Sequence, residues 1–223
     1  MMEILYEDKY ITVCVKPVGV LSEEDGNKRS MPLLLKEHYA QIGQRQDVYT
    51  LHRLDKNVGG VMVFARNPRS ASILATAIGN RQVTKEYHAV VTGRPEAESG
   101  KYTDLLLHDG GKNKTYAVNR MRKGVRQAEL EYTVISTVKE EDRELSLVKI
   151  KLLTGRTHQI RVQFASRKMP LVGDGRYGSG DSKDTPALFS TSLSFTHPKT
   201  GKKMSFEYPL PDLYPFNLFN TLY

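Results

Sequence analysis

The stretch LHRLDKNVGGVMVFARN, residues 51–67, sets one carboxylate, Asp55, between Arg53 and Lys56 and ahead of a turn-like Asn57-Val58-Gly59-Gly60. The run that follows, Val61 to Ala65, is apolar without interruption, the pattern of a strand covered on both faces. Asn67-Pro68 then opens a helix, since asparagine caps a helix start and proline suits its first turn. Ala71, Ile73, Leu74, Ala77 and Ile78 lie on or near one face of that helix, and Gly79-Asn80 stops it. Read alone, the stretch gives a buried strand followed by a helix, and antiparallel strands with a few short helices elsewhere in the chain make it α+β. The stretch also leaves Asp55 with two readings, half of a surface ion pair or a nucleophile.

Working outward, strand signals dominate. Tyr10 to Val15 is short and β-branched and ends at Lys16-Pro17-Val18-Gly19. Glu86 to Thr92 reads as a strand closed by Gly93-Arg94-Pro95. Leu130 to Val138 alternates Leu130, Tyr132 and Val134 against Glu131 and Thr133, and Leu145 to Leu152 alternates again, with Glu140-Glu141-Asp142 as the hairpin tip between them. A helix is expected from Thr157, a good capping residue. Phe189–Phe195 and Met204–Tyr208 form a further pair around His197-Pro198-Lys199-Thr200-Gly201. Gly93–Lys112 reads as a loop able to divide two halves, Gly173–Thr185 as a second excursion, and the tail from Pro209 to Tyr223 as a surface segment. The expectation is one α+β domain over residues 1–223 with a mainly antiparallel sheet.

The 223 residues, 39% hydrophobic, are enough for a sizeable core. No apolar run approaches the roughly 18 residues of a membrane span, and the mixed-charge start lacks a signal core, so a cytoplasmic protein without a membrane partner is expected. One cysteine, Cys14, excludes an intramolecular disulfide and reads as a small buried apolar residue. The net charge of +8 and pI of about 9.4 point to a polyanion. Between Gly110 and Ala128 there is no acid, against Lys112, Lys114, Arg120, Arg122, Lys123 and Arg126; this is either a solvated ribbon or a phosphate-contacting surface.

Gly173-Asp174-Gly175 continues into neither a P-loop nor a dinucleotide fingerprint. The six histidines are scattered without an i,i+4 pair, so no metal site is expected. There is no Gly-x-Ser-x-Gly elbow and no carboxylate pair for glycoside chemistry. Three stretches remain: His52-Arg53-Leu54-Asp55; KEYHAVVTG, with Tyr87 between Lys85 and His88; and LLTGRTHQIRVQFAS, with Arg156, His158 and Arg161 at a strand-to-helix junction. On a helix from Thr157, Ile160 and Phe164 face the core together, and Arg161 sits about 100° from Ile160. An arginine at the edge of a buried face needs a carboxylate, because an unpaired buried charge is costly. Asp55 is a reasonable partner and stays ionised beside a guanidinium; spacing alone favours a plain ion pair over a nucleophile.

Taken in order, these stretches resemble the RluA-type RNA pseudouridine synthases. HRLDKNVGGVMVFA is similar to the family's His-Arg-Leu-Asp marker, KEYHAVV to its Lys-x-Tyr strand, and GRTHQIRVQFA to its third motif. GDGRYG, the opening ILYEDKYITVCVKPVGVLS and the closing LSFTHPKTGKKMSFEYPLP are similar as well, so the resemblance covers nearly the whole chain. It implies a two-halved pseudouridine synthase fold with a cleft between the halves. It further implies Asp55 as the catalytic aspartate, Tyr87 stacked on the uracil, Arg161 holding Asp55, Leu153 packed beside the base, and Arg53 entering the RNA where the flipped base had been. His52, Arg156 and His158 join Arg53 and Leu153 as expected RNA contacts. The implied partner is RNA, ribosomal or transfer; no cofactor or obligate protein partner is implied, and a monomer is the default.

The chain departs from the family pattern after the aspartate, where Val58-Gly59-Gly60 replaces Thr-Ser-Gly, and at Gln163, often histidine. Gly59-Gly60 would let the backbone approach RNA or would loosen the loop. The departure keeps open a non-catalytic RNA-binding or RNA-folding protein on the same scaffold. The catalytic region begins almost at once, at Ile4, without the S4-type RNA-binding module of many relatives, so RNA affinity is expected from the domain itself.

Overall fold

The computed structural model describes residues 2–26, 28–178 and 184–222. In chain order they form β1 (Glu3–Glu7), β2 (Ile11–Lys16), α1 (Met31–Gln41), β3 (Tyr49–Thr50), β4 (Gly59–Ala65), α2 (Pro68–Gly79) and β5 (Thr84–Thr92). There follow β6 (Ser99–Asp109), β7 (Lys114–Val118), β8 (Val125–Glu140), β9 (Arg143–Leu152), α3 (Gln159–Ala165), β10 (Leu188–Thr196) and β11 (Lys203–Glu207), and a 3₁₀ helix closes the chain at Phe216–Leu222. Two compact units result. The first comprises residues 1–85 and 190–209, the second residues 86–189 and 210–223.

In the first unit the strand order is β1-β2-β4-β10-β11, with β3 also on β4. β2 and β4 pair antiparallel, from Ile11 opposite Ala65 to Lys16 opposite Gly60, and every residue of both is buried. The period of two sends Ile11, Val13, Val61 and Val63 to one face, where they pack with Leu74 of α2 and with Leu193 and Phe195 of β10. Thr12 faces the other way, and its hydroxyl meets that of Tyr39 of α1 at 2.6 Å. The sheet is therefore covered on both sides, which is why β4 reads as an unbroken apolar run. Asn67 caps α2 by accepting from the Ser70 N–H at 2.9 Å, as the sequence signals. Ile73, expected on the buried face, is 41% exposed; Ser70 and Leu74 carry that face.

In the second unit the order is β5-β9-β8-β6-β7, antiparallel throughout. The expected hairpin tip falls in place, with Glu141 in the left-handed region at φ 52° between β8 and β9. Three expectations need correction. Gly93–Lys112 is mostly not loop: β6 occupies Ser99–Asp109, paired with β8 over Ser99–Leu107 and with β7 over Leu105–Asp109, and its mostly part-exposed residues hid it. The first helix residue is Gln159, not a residue beside a Thr157 cap; His158 holds the cap position with φ 53° and makes no side-chain cap bond. The tail does not simply lie on the surface, because Phe216 and Phe219 are buried in this unit. Ile160 and Phe164 are buried as expected, with Phe164 edge-on to Tyr102 and near Tyr132. Cys14 is fully buried in β2, and burial pushes its thiol pKa well up. Among the described residues no helix is long and apolar enough to cross a membrane.

Candidate active site

Asp55 lies in the loop between β3 and β4 of the first unit. The peptide groups around it are bonded in series. The Leu54 N–H donates to the Ser22 hydroxyl at 3.0 Å, and that hydroxyl donates to the Leu54 carbonyl at 2.8 Å. The Asp55 carbonyl accepts from the Val58 N–H at 3.0 Å, closing a tight turn. The Lys56 carbonyl accepts from the Gly19 N–H at 2.9 Å and from the Lys16 ammonium at 3.0 Å. Lys16 is fully buried at the end of β2 and also donates to the carbonyls of Pro17 and Val20. Burial pulls its pKa down to about 8, against the opposing pull of the nearby Asp55 charge. The Lys-Pro-x-Gly turn is thus tied to the loop that carries the acid.

His52 is buried, and its Nε2 accepts from the Val63 N–H at 3.2 Å, which leaves Nδ1 as the protonated nitrogen. Burial and then the Lys85 charge hold its pKa well below the ordinary histidine value. One nitrogen of the His52 ring is thus committed to β4, while the buried Nδ1 has no hydrogen-bond partner among the described residues. Arg53 is exposed and bridges Glu23 at 3.1 Å. The departure at residues 58–60 is a packing arrangement rather than a loosened loop. Val58 is buried, and Gly59 and Gly60 begin β4. A Cβ on Gly60, at φ 125°, would sit 2.2 Å from the Ser190 carbonyl oxygen of β10.

The second unit carries the other two stretches. Tyr87 is buried on β5, opposite Ile150 of β9. Its neighbour His88 has a pKa lowered to about 4 by burial and then by the Lys149 charge, so it is neutral at ordinary pH. β9 runs into the junction before α3, which is fastened to β8. The N–H groups of Leu153 and Thr154 and the Gln159 amide all donate to the Glu129 carbonyl. Leu153 is half-buried; Arg156 is exposed and donates through Nε to the Gln127 carbonyl at 3.0 Å.

Arg161 is buried on α3 and held in a fork. Its Nε donates to Asp174 Oδ2 at 2.8 Å and its Nη2 to Asp174 Oδ1 at 2.7 Å, with Asp174 fully buried. Nη2 also bonds Asp184, whose carboxyl stays below its ordinary pKa because the Arg161 and Arg176 charges outweigh burial. The carboxylate that a buried arginine requires is therefore present, and the sequence had offered Asp174 only as a letter in GDGRYG. Gly173 permits the approach: at φ 75° a Cβ would lie 2.3 Å from the Thr185 carbonyl oxygen. Tyr177 of the same stretch lies beneath the guanidinium, 5.2 Å from ring centre to Cζ. Its hydroxyl receives the Thr115 N–H at 2.8 Å and shares a hydrogen bond with Nδ1 of His158 at 2.8 Å. Arg156, His158 and Arg161 are thus gathered at one junction. Lys16, Ser22, Asp174 and Tyr177 are the supporting residues that motif reading did not single out.

Among the described residues no group of His, Cys, Asp or Glu side chains is arranged to hold a metal. What the parts offer is a carboxylate on a braced loop in one unit, and a buried tyrosine and a rigid guanidinium in the other. Residues 10–166 match the family model described as RNA pseudouridylate synthase. An uncharacterized RNA pseudouridine synthase of Bacillus subtilis is 31% identical over 94% of this chain and 69% of its own length. Ribosomal large subunit pseudouridine synthase D of Vibrio parahaemolyticus is 33% identical over 95% of this chain and 68% of its own. The solved structure of human RNA pseudouridylate synthase domain containing 1 superposes with a TM-score of 0.78 at 21% identity, over 96% of this chain and 85% of that one, a likeness of fold.

Proposed function

The chain belongs to the RNA pseudouridylate synthase family and is a pseudouridine synthase, and on that premise we propose that it isomerises uridine in ribosomal RNA with Asp55 as its nucleophile. The single observation that carries the reading is the family match over residues 10–166, which takes in Asp55, Tyr87 and Arg161 with their motifs. Ribosomal RNA is the proposed substrate because relatives at 33% identity are named for the large ribosomal subunit. The proposed setting is the cytoplasm, with the protein acting as a monomer and without a cofactor.

The reaction breaks the C1′–N1 bond, turns the uracil and joins C5 to C1′. C5 loses its proton and N1 gains one, so the product is an isomer and no co-reactant is consumed. Attack of a carboxylate on C6, its attack on C1′ and its removal of a 2′ proton all begin from an ionised Asp55. Arg161 is the residue proposed to orient that carboxylate, and its own fork is fixed by Asp174. Tyr87 stacks on the uracil and takes part in removing the C5 proton. Drawing a base out of structured RNA costs a few kcal/mol, which Arg53 and the stacking tyrosine offset. Exposed Arg120, Arg122, Lys123 and Arg126, on and around the turn between β7 and β8, supply phosphate contacts with exposed Lys112 in the turn between β6 and β7. The departure at Val58-Gly59-Gly60 lies in the packed start of β4, which removes the motive for a non-catalytic reading.

The test is tritium release from in vitro-transcribed large-subunit ribosomal RNA labelled at uracil C5, with filter binding of the same RNA. Wild type is expected to release tritium; Asp55→Asn is expected to release none while binding RNA within about twofold of wild type. An active Asp55→Asn protein sinks the assignment of the nucleophile. Pseudouridine mapping with and without the gene tests the substrate, and a missing site in transfer RNA alone overturns the ribosomal choice.

A further inference from the structure

We propose that Ser22 is a positioning residue for Asp55, acting through a two-bond clasp on the preceding residue; the inference rests on Asp55 being the nucleophile. Ser22 is distant from the acid in sequence and belongs to no motif that carries the chemistry. Its hydroxyl nevertheless takes the N–H of Leu54 and gives its proton to the carbonyl of Leu54, a pair of bonds reaching across 32 positions of chain. That carbonyl belongs to the peptide joining Leu54 to Asp55. Both Ser22 and Leu54 are buried, at 4% and 7% exposure, so water is a poor substitute for either bond.

The clasp completes a set. On the far side of Asp55 the Asp55 carbonyl is fixed by Val58 N–H, and the Lys56 carbonyl by Gly19 N–H and the Lys16 ammonium. The peptide groups before and after the acid are thereby held. The carbonyl-side bonds of Asp55 and Lys56 are supplied by backbone or by the Lys-Pro-x-Gly turn; the approach from Leu54 depends on one hydroxyl. Ser22 is itself fixed. Its carbonyl accepts from the Thr50 hydroxyl at 3.3 Å, and the Leu21 carbonyl beside it accepts from the Met31 N–H at 2.8 Å. A side chain that fixes the peptide entering a nucleophile governs where the carboxylate sits when the base arrives, and misplacement by about 1 Å costs on the order of 100-fold in rate.

The experiment uses full-length protein and the tritium-labelled ribosomal transcript under single-turnover conditions, with RNA affinity and unfolding measured beside the rate. Ser22→Ala is expected to lower the rate by about 10- to 100-fold with RNA affinity within about twofold of wild type. Ser22→Thr keeps the hydroxyl and adds one methyl in a buried place, where Met62, with its Sδ 3.7 Å from Ser22 Oγ, is a flexible neighbour. It is expected to restore the rate to within about threefold. Ser22→Cys keeps the volume but bonds weakly, and is expected to be slow like Ser22→Ala; it serves if the alanine protein does not fold. A wild-type rate in Ser22→Cys or Ser22→Ala overturns the proposal. So does equal impairment of Ser22→Thr and Ser22→Ala, which would assign the loss to packing. An active Asp55→Asn control overturns the underlying assignment instead, whereas an inactive control with a fast Ser22→Cys overturns the clasp alone.

Discussion

At the scale of single residues, two positions carry expectations that differ in kind. Gly60 is constrained by contact and by conformation together, since a Cβ would lie 2.2 Å from backbone oxygen at φ 125°. Gly60→Ala is expected to lower the unfolding free energy by about 2–4 kcal/mol, read as a shifted urea midpoint at unchanged slope. Asp174 is constrained by charge. Asp174→Ala removes the carboxylate that holds Arg161 by two bonds, in a place where neither group meets solvent. A cost of roughly 3–5 kcal/mol is expected, because a buried guanidinium is left short of its counter-charge. Asp184, which also bonds Arg161, moderates that loss, so Asp174→Ala together with Asp184→Ala is expected to be worse than either alone in the same unfolding measurement.

At the scale of elements, the helices differ in how much their own sequences specify. α2 announces both ends, with Asn67 accepting from Ser70 and Gly79-Asn80 closing it; Asn67→Ala is expected to cost about 1 kcal/mol in urea unfolding. α3 is short and starts from a left-handed histidine. A β-carbon resists that conformation, though histidine tolerates it better than most residues. It is held from outside, by the Tyr177 hydroxyl on the ring and by the Thr115 hydroxyl on the Thr157 carbonyl. That is the physical reason Thr157 looked like the cap in the sequence while His158 occupies the position. β6 was illegible for a related reason: its residues are mostly only part-buried, and pairing with β8 on one side and β7 on the other supplies the order.

At the scale of the molecule, two properties sum over many groups. RNA affinity is expected to fall steeply with salt. Replacing Arg120, Arg122 and Lys123 by glutamine is expected to reduce the slope of log K against log salt by about 0.9 for each phosphate left without its cation. An unchanged slope would mean that this ribbon does not face RNA. Stability is expected to depend on pH on the alkaline side. Burial lowers the pKa of both Lys16 and Lys85 to about 8, below the roughly 10.4 of an unfolded lysine. Between those values the unfolded chain holds protons that the folded chain has released, so stability rises as pH increases through that window. Urea unfolding at intervals across it checks the sign, and Lys16→Met is expected to remove the Lys16 share of the rise.

The sequence by itself determined the elements whose signals are local: the doubly covered β4, the capped α2, the β8–β9 hairpin and the last strand pair. It also determined the family, because the motifs around Asp55, Tyr87 and Arg161 are contiguous strings that survive in one dimension. Only the tertiary structure decided what fastens those residues. Asp174 reaches Arg161 across 13 positions, Ser22 reaches Leu54 across 32 and Lys16 reaches Lys56 across 40. It also showed that Gly60 is confined by a strand 130 positions later. Periodicity and capping report on neighbours within a few residues, whereas burial of a charge or a peptide group is satisfied by whatever the fold brings near it.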